Sequence, residues 1–175
     1  MTYNVAILKN VRAAEMWKQI TRRVDIRNKN ILDVGCGYGD FLLLAYHAGA
    51  KTVMGWDNDA DMVEIASSKT KNLPRAMVNH YDIEAWKPKL NQFDVILCLS
   101  VLPYVNFHET LMKIRIAGKI AVIECQYYGD GPGPEFLKSD ADMDAALQDV
   151  GFDGKAIGFT QVKEDRFMRT IWMCT

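Results

Sequence analysis

Ile31-Leu-Asp33-Val-Gly35-Cys36-Gly37-Tyr-Gly39-Asp40-Phe41, "ILDVGCGYGDF", decides how the rest of the chain is read. A short apolar run ends in three glycines spaced two apart, and a helix-like stretch, "FLLLAYHAGA", follows. That is a buried strand turning into a helix through a loop whose bare backbone can approach a ligand. A dinucleotide fingerprint would want its third glycine at position 40, where this chain has Asp40. A carboxylate there would repel a pyrophosphate docked on the helix start, so a ligand without phosphate fits the loop better.

Working outward, "TVMGW" reads as a second strand, "RAMVNHYD" as a third, "FDVILCLSV" as a fourth and "GKIAVIEC" as a fifth. Helical patterns separate them: "DADMVEIASSKT", with Asp59 placed to cap it, and "NFHETLMKIRIA". "DADMDAALQDVGF" is a helix closed by Gly151. "GKAIGFT" and "RFMRTIWMCT" are strands with no helix between them, which predicts a hairpin. Upstream, Val11, Ala14, Trp17, Ile20 and Val24 recur at helical spacing within residues 9–24. The expectation is an α/β fold: a doubly wound, mostly parallel seven-stranded sheet with an antiparallel last strand. One domain over 1–175 accounts for the length, with 1–29 as a helical cap segment and 30–175 as the cofactor-binding core.

Composition sets bounds on function. Hydrophobic residues make up 49%, charged residues 25%, and the net charge is −1, so no global field draws the chain to nucleic acid or a membrane. Charge is uneven, however. Residues 1–29 carry seven basic side chains against Glu15 and Asp25. Cys36, Cys98, Cys125 and Cys174 lie far apart without metal-ligand spacing, which predicts buried thiols, no metal and a reducing, cytoplasmic setting. No apolar run is long enough to span a bilayer.

Ligands of open α/β sheets bind beyond the carboxyl ends of the strands, and polar residues stand at four of these ends in order. They are the glycine loop after the first strand, Asp57 after the second, Asp82-Ile83 after the third and Leu99-Ser100 after the fourth. An acid about 20 residues past the glycines can hold both hydroxyls of a ribose. Together these describe a nucleoside cleft.

On these motifs the chain resembles the class I S-adenosylmethionine-dependent methyltransferases over roughly residues 30–175, the reversed last strand included. The resemblance implies S-adenosylmethionine as cofactor. Gly35, Cys36, Gly37 and Gly39 would border its methionine portion, and Asp33 would help place its amino group. Asp57 would take the ribose, Asp82 the adenine amino group and Ile83 the ring edge, while Leu99 and Ser100 pass beneath the methionine. Two positions depart from the family pattern. Asn58 stands where an apolar residue usually stacks on adenine, which leaves Met62 or Ile83 to supply that face. Leu99-Ser100-Val101-Leu102 lacks the Asp/Asn-Pro-Pro-aromatic run of many nucleobase amino-group methylases.

No fixed motif announces a catalytic residue. Candidates to line the acceptor side are Tyr104 and His108, then Tyr127 and Asp130 in the glycine- and proline-rich stretch that follows the fifth strand. Glu124 and Tyr128 flank the same stretch. A small-molecule acceptor is the leading expectation. RNA or protein methylation through an open cleft is the second, with the basic N-terminal helix as the RNA contact. A silent cofactor-binding partner subunit is the third. Little chain remains to enclose an acceptor, so the pocket is open, completed by a homodimer partner, or meant for a large substrate.

Overall fold

The structure is a computed structural model that describes residues 10–126, 137–161 and 168–175. Helix α1 (Val11–Ile20) precedes β1 (Asn30–Val34), α2 (Asp40–His47), β2 (Thr52–Asp57), α3 (Ala60–Thr70) and β3 (Ala76–His80). Then come β4 (Phe93–Leu99), α4 (Phe107–Ala117), β5 (Gly118–Glu124), α5 (Asp140–Asp149), β6 (Gly154–Gln161) and β7 (Met168–Cys174). The seven strands form one sheet in the order β3-β2-β1-β4-β5-β7-β6. β7 inserts antiparallel between β5 and β6, and the other paired neighbours are parallel, as the sequence led us to expect.

Period-two alternation divides the core. Ile31, Val53, Val95, Leu97, Val122 and Ile171 face a layer that includes Met16, Trp17, Ile20, Leu42 and Ala45 from α1 and α2. Leu32, Val34, Ile96, Cys98, Ala121 and Ile123 face the other way, onto Leu111 and Ile114 of α4 and Met143 and Leu147 of α5. Asp33 shares the first face by that alternation and is buried at 2% exposure.

Several helix starts follow their sequence signals. Asn10 accepts from the Ala13 N–H, Asp59 from those of Asp61 and Met62, and Ser139 from that of Asp142. Helix α1 is shorter than the predicted span over 9–24. Thr21 closes it by donating both its N–H and its hydroxyl to the Trp17 carbonyl. Gln19 reaches from α1 to the sheet edge, where its amide accepts from the Phe159 N–H and donates to the Phe159 carbonyl. A side chain thus occupies backbone groups that an edge strand would otherwise expose.

Candidate functional site

β1 and β4 are neighbours, yet the chain leaves them toward opposite edges of the sheet, which opens a crevice at their carboxyl ends. A cleft of about 350 Å³ lies there. Val34, Gly35, Trp56, Asp57 and Asn58 form one wall, Tyr81, Asp82 and Ile83 a second, and Leu99, Ser100, Val101, Tyr104 and Val105 the third. Eight residues marked in the sequence therefore meet: Gly35, Asp57, Asn58, Asp82, Ile83, Leu99, Ser100 and Tyr104.

The glycine loop is built for close approach. Gly35 has φ +65°, and a Cβ there would fall 2.3 Å from Val101 Cγ2, inside the third wall. Its missing side chain keeps the cleft open between β1 and β4. Gly37 donates its N–H to Asp57 Oδ2 at 2.8 Å, and the Asp59 N–H donates to Asp57 Oδ1 at 3.0 Å. Each carboxylate oxygen keeps a further lone pair, enough to accept from a vicinal diol. Gly39 starts α2 at φ +76°, with Ala66 of α3 only 3.0 Å from where a Cβ would lie.

The second wall is held from behind. Asp82 Oδ1 caps the 3-10 turn Ile83–Ala85 by accepting from the Glu84 N–H, and its other oxygen is left for a ligand. Lys113 of α4 donates to the carbonyls of Ile83 and Glu84 and pairs with Glu109 at 2.7 Å. Glu84 in turn accepts from the Asn106 N–H. Tyr81 leans on Trp56 with 4.7 Å between ring centroids, and Trp86 meets Trp56 edge-on at 5.0 Å.

Some sequence expectations change here. Met62 is not in the cleft wall; Ile83, the other candidate for that face, lines it, with Tyr81 in the same wall. Cys36 is turned into the core, its Sγ 2.8 Å from where a Cβ on Gly55 would lie, and burial pushes its thiol well above the ordinary value. Gly37 and Gly39 shape the loop from outside the wall. Asp40 is spent locally, accepting from Asn10 of α1 and pairing with Lys69 of α3 at 2.9 Å. His108 lies exposed on the first turn of α4, against the Phe107 ring. Tyr127, Tyr128 and Asp130 lie outside the described residues. Trp56, Tyr81, Val101 and Val105 were not anticipated. The signal for the first two was an aromatic immediately before each strand-end acid, Asp57 and Asp82.

Asp33 lies in the strand behind the glycine loop. Its Oδ2 is buried without a hydrogen-bond partner. Burial first, then the nearby Asp57 and Asp40 carboxylates, raise its pKa to about 8, so the folded protein holds it protonated at neutral pH. Among the described residues no cluster of side chains could hold a metal, and no helix is long and apolar enough to cross a membrane.

The glycine turn, a diol-accepting acid at the next strand end and a free carboxylate oxygen beside an apolar slot fit a nucleoside carrying an amino-acid tail. Together with the reversed β7, they define the class of fold: the chain has the fold of the class I S-adenosylmethionine-dependent methyltransferases. Residues 31–116 match the family described as a methyltransferase domain. The tRNA U34 carboxymethyltransferase of Azotobacter vinelandii is 29% identical over 160 residues, covering 89% of this chain and 44% of that one. The ubiquinone biosynthesis O-methyltransferase of Coxiella burnetii is 28% identical over 110 residues, covering 59% and 46%. The chain spans less than half the length of these curated relatives. The magnesium protoporphyrin IX methyltransferase of Synechocystis PCC 6803, crystallised with bound S-adenosylmethionine, superposes with a TM-score of 0.74 at 19% identity. That match covers 93% of this chain and 76% of the other, and it establishes the fold.

Proposed function

We propose that this chain transfers the methyl group of S-adenosylmethionine to a small-molecule acceptor. The observation that carries the reading is the cleft between β1 and β4, where Asp57, Asp82 and the backbone of Gly35 converge on one nucleoside-sized space. When bound, the cofactor supplies a methyl group activated by its sulfonium. The protein's part is then mainly orientation. Asp57 fixes the ribose, and the Lys113-braced turn holds Asp82 and Ile83 against the base. Tyr104 and Val105 border the cleft where an acceptor would enter, and Tyr104 is 70% exposed. No general base is assigned.

The placement of the basic residues supports a small acceptor. Arg12 bonds Glu124 near the cleft, but Arg22, Arg23 and Arg27 surround a depression with Ala48, and Lys29 adjoins Lys51, these at the amino end of the sheet. That end is opposite the cleft. A second reading, methylation of tRNA, is favoured by the similarity to tRNA U34 carboxymethyltransferases over 89% of the chain.

Calorimetric titration with S-adenosylhomocysteine and, separately, NADH tests the cofactor. Micromolar binding of the first alone is expected, and binding of NADH alone would overturn the reading. Turnover is then followed as S-adenosylhomocysteine release across a panel of small acceptors and bulk tRNA. Salt-sensitive binding of tRNA, with turnover on it alone, would move the assignment to the second reading.

A further inference from the structure

At the amino end of the sheet, the loops that enter β1, β2 and β3 bring basic side chains together. Residues 21–30, 48–52 and 71–76 hold seven lysines and arginines and a single acid, Asp25. Arg22, Arg23 and Arg27 are exposed around a depression of about 420 Å³ that Val24, Ile26 and Ala48 also line. Backbone hydrogen bonds make the surface continuous. The Asn28 N–H donates to the Gly49 carbonyl, the Lys51 N–H to the Lys29 carbonyl and the Val53 N–H to the Arg75 carbonyl. Lys29, Lys51 and Arg75 therefore stand at the starts of three adjacent strands, about 4.8 Å from one strand to the next.

Ordinary causes account for little of this charge. Helices α1, α2 and α3 end on this side, and a helix carboxyl end attracts cations. Each end carries only about half a negative charge, so three of them offset fewer than two of the seven cations. Ion pairing absorbs no more. Asp25 is spent on Arg27, accepting from its Nε at 3.3 Å and from its backbone N–H at 3.1 Å. Among the described residues, Arg22, Arg23, Lys51 and Arg75 form no salt bridge. Arg75 also holds φ +68°, a left-handed conformation that strains an L-residue and that glycine would adopt freely.

We propose that this face is a docking surface for the phosphate backbone of single-stranded RNA, separate from the cleft and independent of which molecule accepts a methyl group. Other polyanions fit it less well. A protein held on a membrane surface buries apolar side chains as well as pairing charge, and none of the exposed large hydrophobic residues lies in these three loops. Duplex DNA, stiff over about 150 base pairs, bridges a depression of this size rather than entering it. A single strand can turn a phosphate into the depression, where guanidinium groups bind two of its oxygens at once. RNA presents such strands in its loops, bulges and ends. The three loops contain no aromatic residue on which a base could stack, so the contact is to backbone rather than to sequence.

The test uses the purified full chain and fluorescein-labelled poly(U), followed by anisotropy. Binding is expected at low salt, with log affinity falling against log salt by about 0.7 per phosphate held, or roughly 2 to 4 in total. The triple variant Arg23→Gln, Lys51→Gln, Arg75→Gln changes only exposed side chains. It should lose tenfold or more in affinity and about two units of that slope. S-adenosylhomocysteine should bind poly(U)-saturated wild type as tightly as free protein, a comparison that needs no variant to fold. Absence of poly(U) binding at low salt overturns the docking surface, as does unchanged affinity in the folded variant. Displacement of poly(U) by S-adenosylhomocysteine would put the RNA in the cleft and overturns it too. Tighter binding of duplex DNA, of poly-glutamate, or of phosphatidylcholine vesicles containing phosphatidylserine overturns the choice of partner. Failure of the free protein to bind S-adenosylhomocysteine counts against the proposed cofactor alone, because the docking surface does not rest on it.

Discussion

The two ends of the sheet are built from the same strands and are used differently. At the amino end, polar groups close on one another. Asp94 accepts from the Asn30 N–H at 2.9 Å and pairs with Lys119 at 2.7 Å, while Thr52 donates to Asn30 Oδ1 at 2.9 Å. The Asn30 hydrogen bond, then Lys119, hold the Asp94 carboxyl below its ordinary range. At the carboxyl end the accounts stay open. Asp33 keeps a buried oxygen unpartnered, Arg12 a buried N–H, and Ser100 a left-handed backbone. An end that satisfies itself contributes stability, and an end left unsatisfied is available to a ligand.

The sharpest way to break this contrast is Gly35→Ala. The new Cβ would meet Val101 and the residue would be held at positive φ. We expect loss of measurable S-adenosylhomocysteine binding and, in thermal melts, destabilisation of at least the roughly 1–2 kcal/mol of the left-handed conformation. Retained affinity would mean that the loop does not face the ligand.

Asp33→Asn comes next, and its effect is one of stability. The folded state keeps a proton up to about pH 8 that the unfolded chain, with an ordinary carboxyl, releases near pH 4. Wild-type stability without ligand therefore falls as pH rises between those values. The amide cannot ionise, so the variant should show a flatter melting profile and gain on wild type as pH rises toward 8, by up to about 1.4 kcal/mol per pH unit. Parallel profiles would show Asp33 to be ionised in the fold.

Asp57→Ala should weaken S-adenosylhomocysteine by about 1–3 kcal/mol in calorimetry, the range for hydrogen bonds lost near charge. Unchanged affinity would remove the ribose assignment. The smallest effect belongs to the amino end. Asp94→Asn should cost about 1 kcal/mol or less, because its partner Lys119 is exposed. The depressed carboxyl means that this stability is present above pH 4 and lost as pH falls further, so the variant should match wild type in acid. S-adenosylhomocysteine binding should not change. A loss there comparable to that of Asp57→Ala would erase the distinction between the two ends.

What could be read before folding was local. The glycine loop, Asp57 and Ser100 each stand directly after an apolar run, which put them at carboxyl ends; Asp82 follows the more polar Asn79-His80-Tyr81 and was placed by the alternation of strands and helices. Two expectations met a different arrangement in the fold. Met62 and Ile83 were the two candidates for the adenine face; Ile83 lines the cleft and Met62, on α3, does not. Asp40 looked like a ligand-facing acid, yet its partners Asn10 and Lys69 are supplied from 30 and 29 residues away.

The sequence by itself determined the layered α/β class, the order of its strands and helices, and the acids that stand at the strand ends, because two- and 3.6-residue periodicities and turn chemistry are properties of adjacent residues. Only the tertiary structure decided which strands are neighbours, and with that the wall of Val101 and Val105 and the meeting of Arg12, Ser100, Glu124 and Arg169. Those side chains lie up to 157 positions apart, between Arg12 and Arg169. What joins them is the placement of β7 beside β5 and of α1 across the sheet, set by burial of both sheet faces at once rather than by any neighbour in the chain.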